Sequence, residues 1–393
     1  MKSFIVATPY RSVCDEQARA LHAQGQLRLY TTWTRRGTSG IPHDLTRKLP
    51  LLGLAAFIGA RTLPPYQAEA FRFSLYPLYD QWVASMVRPG DFMISSYCYA
   101  NESFRKVRAL GGKTFLDAGN SHPDNFWEIL SEEHRRWNCP YPPVPKFYIR
   151  RARAMLDETD YIIAPSEFVA DSFLQRGFVA ERILRVPYGV DHSTFKSHPI
   201  PREKNRPFTL ISTGSLSLRK GTPYLLEAYR LIRKAIPDAR LLLSDLKSAS
   251  ILPILENYRD LPIEWAPSLG HADLARRLNS ADLFLLPSLE EGLVRTALEA
   301  MACGVPVILT PNTGSSDYVT EGVNGSVVPI RDAGAIAEKA IWWWGRINSG
   351  ENSGPSGMTG NILSPDQVRE LFLERISALF SKVSGWQSLK ASF

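Results

Sequence analysis

Glu291 and Glu299 stand eight residues apart, and the segments around them dictate where each carboxylate can go. Leu283-Phe284-Leu285-Leu286 reads as a buried strand that stops at Pro287. Glu290, Glu291 and Gly292 follow, then a helix pattern ending at Gly304, then a second apolar run from Val305 to Leu309. Strand, acidic loop, helix, glycine stop and strand make a βαβ unit of a parallel sheet. Ligands in such sheets bind beyond the carboxyl ends of the strands. Glu290 and Glu291 fall at that end, with Glu299 one short helix further on. A second constellation lies upstream. Phe208 to Ser212 reads as a strand, and Thr213-Gly214-Ser215-Leu216-Ser217-Leu218-Arg219-Lys220-Gly221-Thr222 leads into an amphipathic helix from Tyr224 to Ala235. A glycine-bearing loop with cations ahead of a helix N-terminus suits a diphosphate, because backbone N–H groups, the helix dipole and Lys220 act on one anion. The third candidate is His122. It sits just beyond the strand Lys113 to Asp117, in a glycine-containing loop that faces the same kind of cleft, with Asp117 and Asn120 near enough to orient it.

The composite around the two glutamates closely resembles the Glu-x7-Glu signature of the retaining glycosyltransferases of family 4. Its parts are Glu-Gly in front and Glu-Ala-Met-Ala-x-Gly-x-Pro-Val behind. Further stretches share the resemblance. Pro187-Tyr188-Gly189-Val190-Asp191 to Phe195 is similar to the family's Pro-Asn-Gly-Val-Asp-x-x-x-Phe, with Tyr188 in place of Asn. Gly322-Val323-Asn324-Gly325 matches its Gly-x-Asn-Gly turn. The loop at Gly214 resembles Gly-Arg-Leu-x-x-x-Lys-Gly, with Lys220 matching and Ser215 replacing the Arg, so that Arg219 becomes the candidate for the lost charge.

The resemblance implies a GT-B fold, two Rossmann-like domains facing across a cleft. The expected boundaries are 1–195 for the acceptor-side domain and 205–364 for the nucleotide-sugar domain, with a helix from about 365 to 393 packing back on the first. It also implies roles. Glu299 holds ribose hydroxyls, since a carboxylate accepts two hydrogen bonds from a diol. Glu291 contacts hydroxyls of the donor sugar, helped by backbone N–H groups near Gly292 and Leu293. Lys220, with Arg219 beside Ser215, neutralises the leaving diphosphate, and His122 lies beside the transferred sugar. Many relatives have Phe-Gly where this chain has Leu293-Val294, which leaves sugar preference open.

The remaining elements must position these groups. Phe4 to Ala7 is a first strand, and the loop after it, Thr8 to Ser12, carries Arg11 but no glycine. No GxGxxG occurs, which argues against an NAD- or FAD-dependent enzyme. Leu269-Gly270-His271 opens a helix near which the family's backbone holds the base, so His271 is either a cleft residue or a cap. The segment 196–207 is a polar linker, and Ser349 to Asn361, rich in Gly, Ser and Asn, is a loop. Leu49 to Ala60 is apolar and flanked by Arg47, Lys48 and Arg61. At about a dozen residues it is too short to span a bilayer, which takes ~20. It reads either as a segment packed on its own domain or as a membrane-surface or acceptor-binding segment.

A length of 393 residues fits two domains, and 44% hydrophobic residues can fill two cores. The net charge of +7 favours anionic partners such as nucleotide sugars or acidic lipid. Neither an aromatic-plus-basic RNA motif nor zinc-finger spacing is present, so nucleic acid is not expected. Four scattered cysteines without Cys-x-x-Cys suggest reduced thiols in the cytoplasm. A place at the inner face of the membrane is compatible with that. The resemblance implies no metal and no cofactor, only a UDP- or GDP-linked co-substrate, with a sugar, glycolipid or polysaccharide hydroxyl as acceptor. The competing reading is a catalytically decayed nucleotide-sugar-binding or scaffold protein of a polysaccharide-assembly pathway.

Overall fold

The computed structural model describes residues 3–10, 12–34, 40–198, 206–267, 269–350 and 361–390, the last ten of these as backbone only. Arg11, most of the linker and most of the loop 349–361 lie outside the described residues. Two sheets, each entirely parallel, carry the fold. The first holds β1 (Ser3–Ala7), β2 (Leu27–Thr32), β3 (Thr46–Lys48), β4 (Asp91–Ser96), β5 (Thr114–Asp117), β6 (Tyr161–Ala164) and β7 (Ile183–Arg185), in the order β3-β2-β1-β4-β5-β6-β7. The second holds β8 (Thr209–Ser212), β9 (Arg240–Ser244), β10 (Ile263–Ala266), β11 (Leu283–Leu286), β12 (Val307–Leu309) and β13 (Gly325–Val327), in the order β10-β9-β8-β11-β12-β13. Each order reverses once, between β1 and β4 and between β8 and β11, and such switch points open a crevice at the strands' carboxyl ends.

Continuous apolar strands follow from burial on both faces. Ile5 and Ala7 join one core cluster and Phe4 and Val6 another. Likewise Leu283 and Leu285 face one side of the second sheet, and Phe284 and Leu286 the other. This alternation is the period of two that a strand imposes.

After β13 and the helix Ala333–Asn348, the chain returns to the first domain. Val190 N donates to Leu363 O at 2.9 Å, so the outgoing and returning crossings run side by side. The helix Pro365–Lys390 then lies on the first sheet's outer cluster through Val368, Phe372 and Ile376, four residues apart, so one stripe faces inward. Arg369 pairs with Glu16 at 2.7 Å, and the Phe380 ring stacks on Phe92.

Candidate active site

The cation loop and the acidic loop meet at the switch point between β8 and β11. Gly221 precedes the helix Thr222–Ala235 with φ of 64°. That left-handed backbone favours glycine, and a Cβ there would collide with the carbonyl of Pro287 at the end of β11. The close approach lets Leu289 N donate to Arg219 O at 2.8 Å, tying the loops together. From the other side, Asn312 Nδ2 donates to Leu289 O and Asn312 O accepts from Glu291 N, at 2.8 and 2.9 Å.

On this frame Glu291 receives both cations. Lys220 Nζ lies 2.8 Å from Glu291 Oε1, a close ion pair. Arg219 Nη1 lies 3.1 Å from Glu291 Oε2. Burial works to raise the Glu291 pKa, but the two cations outweigh it and hold the carboxyl below its ordinary range. Arg219 thus stands beside Lys220, whereas Ser215 is exposed one turn of loop away. Gly214 packs its α-carbon side against the Lys220 stem, 3.2 Å from a would-be Cβ to Cε. An anion arriving here meets two positive groups and a helix N-terminus.

Glu299 sits in the next helix, Arg295–Ala302, almost fully buried. Its Oε2 makes no hydrogen bond among the described residues. Burial pushes its pKa up to about 7, opposed by Arg295. An orphaned buried carboxyl oxygen is costly and rare enough to ask for a ligand. Thr296 of the same helix lines a cavity of about 150 Å³, walled by the strand ends of β8 to β10 and by Leu269 and Leu274. His271 opens its helix and its ring lies 5.8 Å from that of Phe195, while residues 269 and 274 around it contribute the cavity wall.

The unanticipated group is Glu290. The sequence places it at the strand end, next to the residue that draws attention, but only the fold shows its partner. It is fully buried and accepts from Ser121 N at 2.8 Å, Ser121 Oγ at 2.9 Å and Asn120 Nδ2 at 3.0 Å, all from the loop after β5 in the other domain. Arg219 Nη1 lies 3.4 Å from its Oε2. Glu290 therefore clasps the two domains directly behind the Glu291 cluster. Gly292 belongs to the same contact. Its carbonyl accepts from Ser166 Oγ at 2.5 Å, and a Cβ on it would run into the Gly119 carbonyl. Leu293 is buried in the second domain's core cluster, so its backbone and not its side chain borders the loop.

His122 takes a different place from the one its loop suggested. Its Nδ1 accepts from Asp124 N at 3.1 Å, which makes it the N-cap of the helix Pro123–Arg136. Its ring packs edge-on against Phe173 and Phe178. The cavity it lines is walled by first-domain residues, among them Arg108, Asp124, Arg153 and Arg182. Burial lowers its pKa, opposed by Asp124, which favours the neutral ring. Its supposed orienters are engaged elsewhere. Asn120 serves Glu290, and Asp117 is buried with Cys14 Sγ at 3.4 Å and Gln17 Nε2 at 3.2 Å. Burial pushes the Asp117 pKa up to about 6.

Between the domains, beside Arg219, lies a larger cavity of about 270 Å³. Several aromatic rings, among them Tyr66, Phe73, Tyr97 and Phe126, stand in its walls, with Glu69 and Arg219 as charged members. Burial raises the Glu69 pKa, opposed by Arg72 and Arg219.

Residues 193–345, which contain both loops, match the family model "Glycosyl transferases group 1". The putative colanic acid biosynthesis glycosyltransferase WcaL of Escherichia coli is 27% identical over 189 residues, 46% of this chain and 46% of its own length. The chain thus spans about half the length of that relative. The amylovoran biosynthesis glycosyltransferase AmsK of Erwinia amylovora is 24% identical over 321 residues, 75% of this chain and 72% of AmsK. Among solved structures, Anabaena HepE in complex with UDP-glucose aligns over 96% of this chain and 100% of its own, with a TM-score of 0.63 at 15% identity. Sucrose-phosphate synthase from Thermosynechococcus elongatus covers 100% of both chains, with a TM-score of 0.63 at 20% identity. Residues 193–345 carry the sequence pattern of the group 1 glycosyl transferases, and the chain as a whole shares the two-domain α/β fold of sucrose-phosphate synthase and HepE.

Proposed function

We propose that this protein is a retaining glycosyltransferase of family 4 that moves a hexose from a nucleotide sugar to an acceptor hydroxyl without a metal ion. The observation that carries the reading is the convergence of Lys220 and Arg219 on Glu291 at the second sheet's switch point. In the donor complex the diphosphate takes the cations, and Glu291, freed from them, accepts from hydroxyls of the sugar. The 150 Å³ cavity receives the base, and the orphaned Glu299 carboxyl accepts from the ribose diol. UDP is the favoured nucleotide, since HepE was solved with UDP and UDP-glucose. GDP is the alternative.

As the C1–phosphate bond breaks, negative charge grows on the leaving diphosphate, and fixed cations stabilise that charge more than they stabilise the ground state. The acceptor oxygen forms its bond to C1 on the face the phosphate leaves, and its proton passes to the leaving phosphate oxygen. No protein nucleophile is assigned. Charge neutralisation by Arg219 and Lys220 is what makes a metal dispensable here. The aromatic cavity beside Arg219 takes the acceptor, a sugar, glycolipid or growing polysaccharide; WcaL and AmsK bear names from such pathways. His122 serves as a positioning residue, holding the loop whose Asn120 and Ser121 grip Glu290.

The test is thermal melting with UDP, GDP, ADP and dTDP, each with and without EDTA. A ligand at 100 times its dissociation constant stabilises by about 2.7 kcal/mol. The expected result is a shift with UDP above the others, unchanged by EDTA, followed by turnover of the matching sugar nucleotide. No shift with any diphosphate would transfer the case to a decayed binding or scaffold protein, with Ser215 as its first mark.

A further inference from the structure

The helix Pro50–Thr62 is packed inside out for a helix surrounded by water. Its inward stripe is Gly53, Ala56 and Gly59, while Leu51, Phe57 and Ile58 stand outward with 71%, 51% and 51% of their surface exposed. At its two glycines the inward side has no room for anything larger. A Cβ on Gly53 would lie 2.5 Å from Trp33 O, and one on Gly59 would lie 2.5 Å from the Phe71 ring. The glycines therefore let the helix lie close on the domain, with Leu52 packed inward beside them and Leu51, Leu54, Phe57 and Ile58 turned out. Leu54, on the same side of the helix, adds to this exposed surface. Contiguous apolar surface of this kind marks an interaction site.

Charge selects the partner. From Leu45 to Ala68 the chain has Arg47, Lys48 and Arg61 and not one carboxylate; Asp44 and Glu69 bound the stretch. Arg61 lies with its guanidinium 4.1 Å from the centre of the Phe57 ring, so a cation sits directly beside the apolar surface. An apolar face with Arg61 beside it, in a stretch of chain whose only charges are cations, complements a bilayer surface with acidic headgroups, apolar toward the acyl chains and positive toward the phosphates. The helix has 13 residues, and no helix among the described residues is long and apolar enough to cross a membrane, so it lies on the surface.

We propose that the outer face of the helix Pro50–Thr62 docks on a membrane surface containing acidic lipid. The helix Pro65–Ser74, packed on it through Phe71 and Gly59, supplies Tyr66, Glu69 and Phe73 to the aromatic cavity in the cleft. Docking would therefore set that cavity close to the bilayer and favour a lipid-anchored acceptor. This last consequence rests on the transfer reading; the docking itself does not.

Sedimentation with vesicles tests it on the full chain. Vesicles of phosphatidylcholine mixed with phosphatidylglycerol should bind the protein at least about tenfold better than phosphatidylcholine alone, and salt should reduce the difference. A Leu51→Ser, Phe57→Ser, Ile58→Ser variant should lose sedimentation while keeping the melting transition of the parent. An Arg47→Glu, Lys48→Glu, Arg61→Glu variant should bind both vesicle types equally weakly. Absent sedimentation of the parent, or undiminished sedimentation of the serine variant, overturns the proposal. So does a parent dimer in light scattering that the serine variant makes monomeric without any vesicle binding, which would assign the face to a second copy of the chain. Vesicle binding that persists without any nucleotide shift would fault the transfer reading and leave the docking intact.

Discussion

Glu291 and Lys220 are the residues on which transfer should depend most. On the proposed transfer each would stabilise charge or hydroxyls at the reacting end of the donor, so Glu291→Ala or Lys220→Ala is expected to lower turnover at least about 100-fold. Both variants should still unfold cooperatively, which circular dichroism melts would show; retained turnover in both would dismantle the site assignment. Glu299 makes a different prediction, one of pH. Its folded pKa of about 7 stands above its ordinary 4.5, so the folded chain holds a proton that the unfolded chain has released across that window. Stability contributed by the protonated form is complete below 4.5 and is lost as pH rises to about 7. The gap corresponds to roughly 3 kcal/mol. Glu299→Gln should therefore be more stable than the parent above the window, by up to that amount in urea titration, and equal to it below. On the proposed role a ribose diol would donate to the ionised carboxyl, so UDP affinity of the parent should rise with pH through about 7 and be flat in the variant.

At the scale of elements, the loop after β11 does two tasks with adjacent residues. Glu291 faces the cations of its own domain, whereas Glu290 accepts from the loop after β5 of the other. Removing Glu290 strands the Ser121 N–H and the Asn120 amide, at a cost of about 1–3 kcal/mol for each buried group left unpaired. Glu290→Ala should open the cleft. Small-angle scattering would record a larger radius of gyration, and amide exchange would quicken at 119–122. Gly292→Ala should act in the same direction by collision with the Gly119 carbonyl, with the Glu290 hydrogen bonds chemically intact. If scattering is unchanged in both variants, the clasp does not hold the domains together. A related contact lies further along the cleft, where fully buried Glu133 accepts from Tyr224 OH at 2.8 Å and Arg331 Nε at 2.7 Å.

For the whole molecule, the return of the chain to the first domain is a matter of stability. Val368, Phe372 and Ile376 cover the outer cluster of the first sheet. Phe372→Ala should cost about 3–5 kcal/mol. Because the helix belongs to the first domain's core, the loss should appear in the unfolding of that domain, and the UDP-induced shift, which arises in the second, should persist. Loss of the UDP shift in this variant would mean that the two domains unfold as one unit.

Much of this was legible in the chain itself. The apolar runs, the glycine stops and the caps specify parallel βαβ units, because side-chain period and backbone freedom are local properties. That the cation loop and the acidic loop both follow strands of one sheet was readable from motif spacing, but that Lys220 and Arg219 meet on Glu291 was not. What the tertiary structure decided is everything that crosses the cleft or depends on which way a side chain turns. His122 reads from sequence as a cleft residue because it follows a strand end, yet its ring nitrogen is taken by the helix it caps and its face by Phe173 and Phe178. Glu290 reads as a neighbour of the important residue, yet its three donors lie 169 and 170 positions away. The segment Leu49 to Ala60 permits two readings in sequence, and the contacts of Gly53 with Trp33 and of Gly59 with Phe71 decide only which of its faces is turned outward. Spacing in a sequence reports the periodicity of single elements; the partner of a buried charge and the outward face of an apolar helix are set by how distant elements pack.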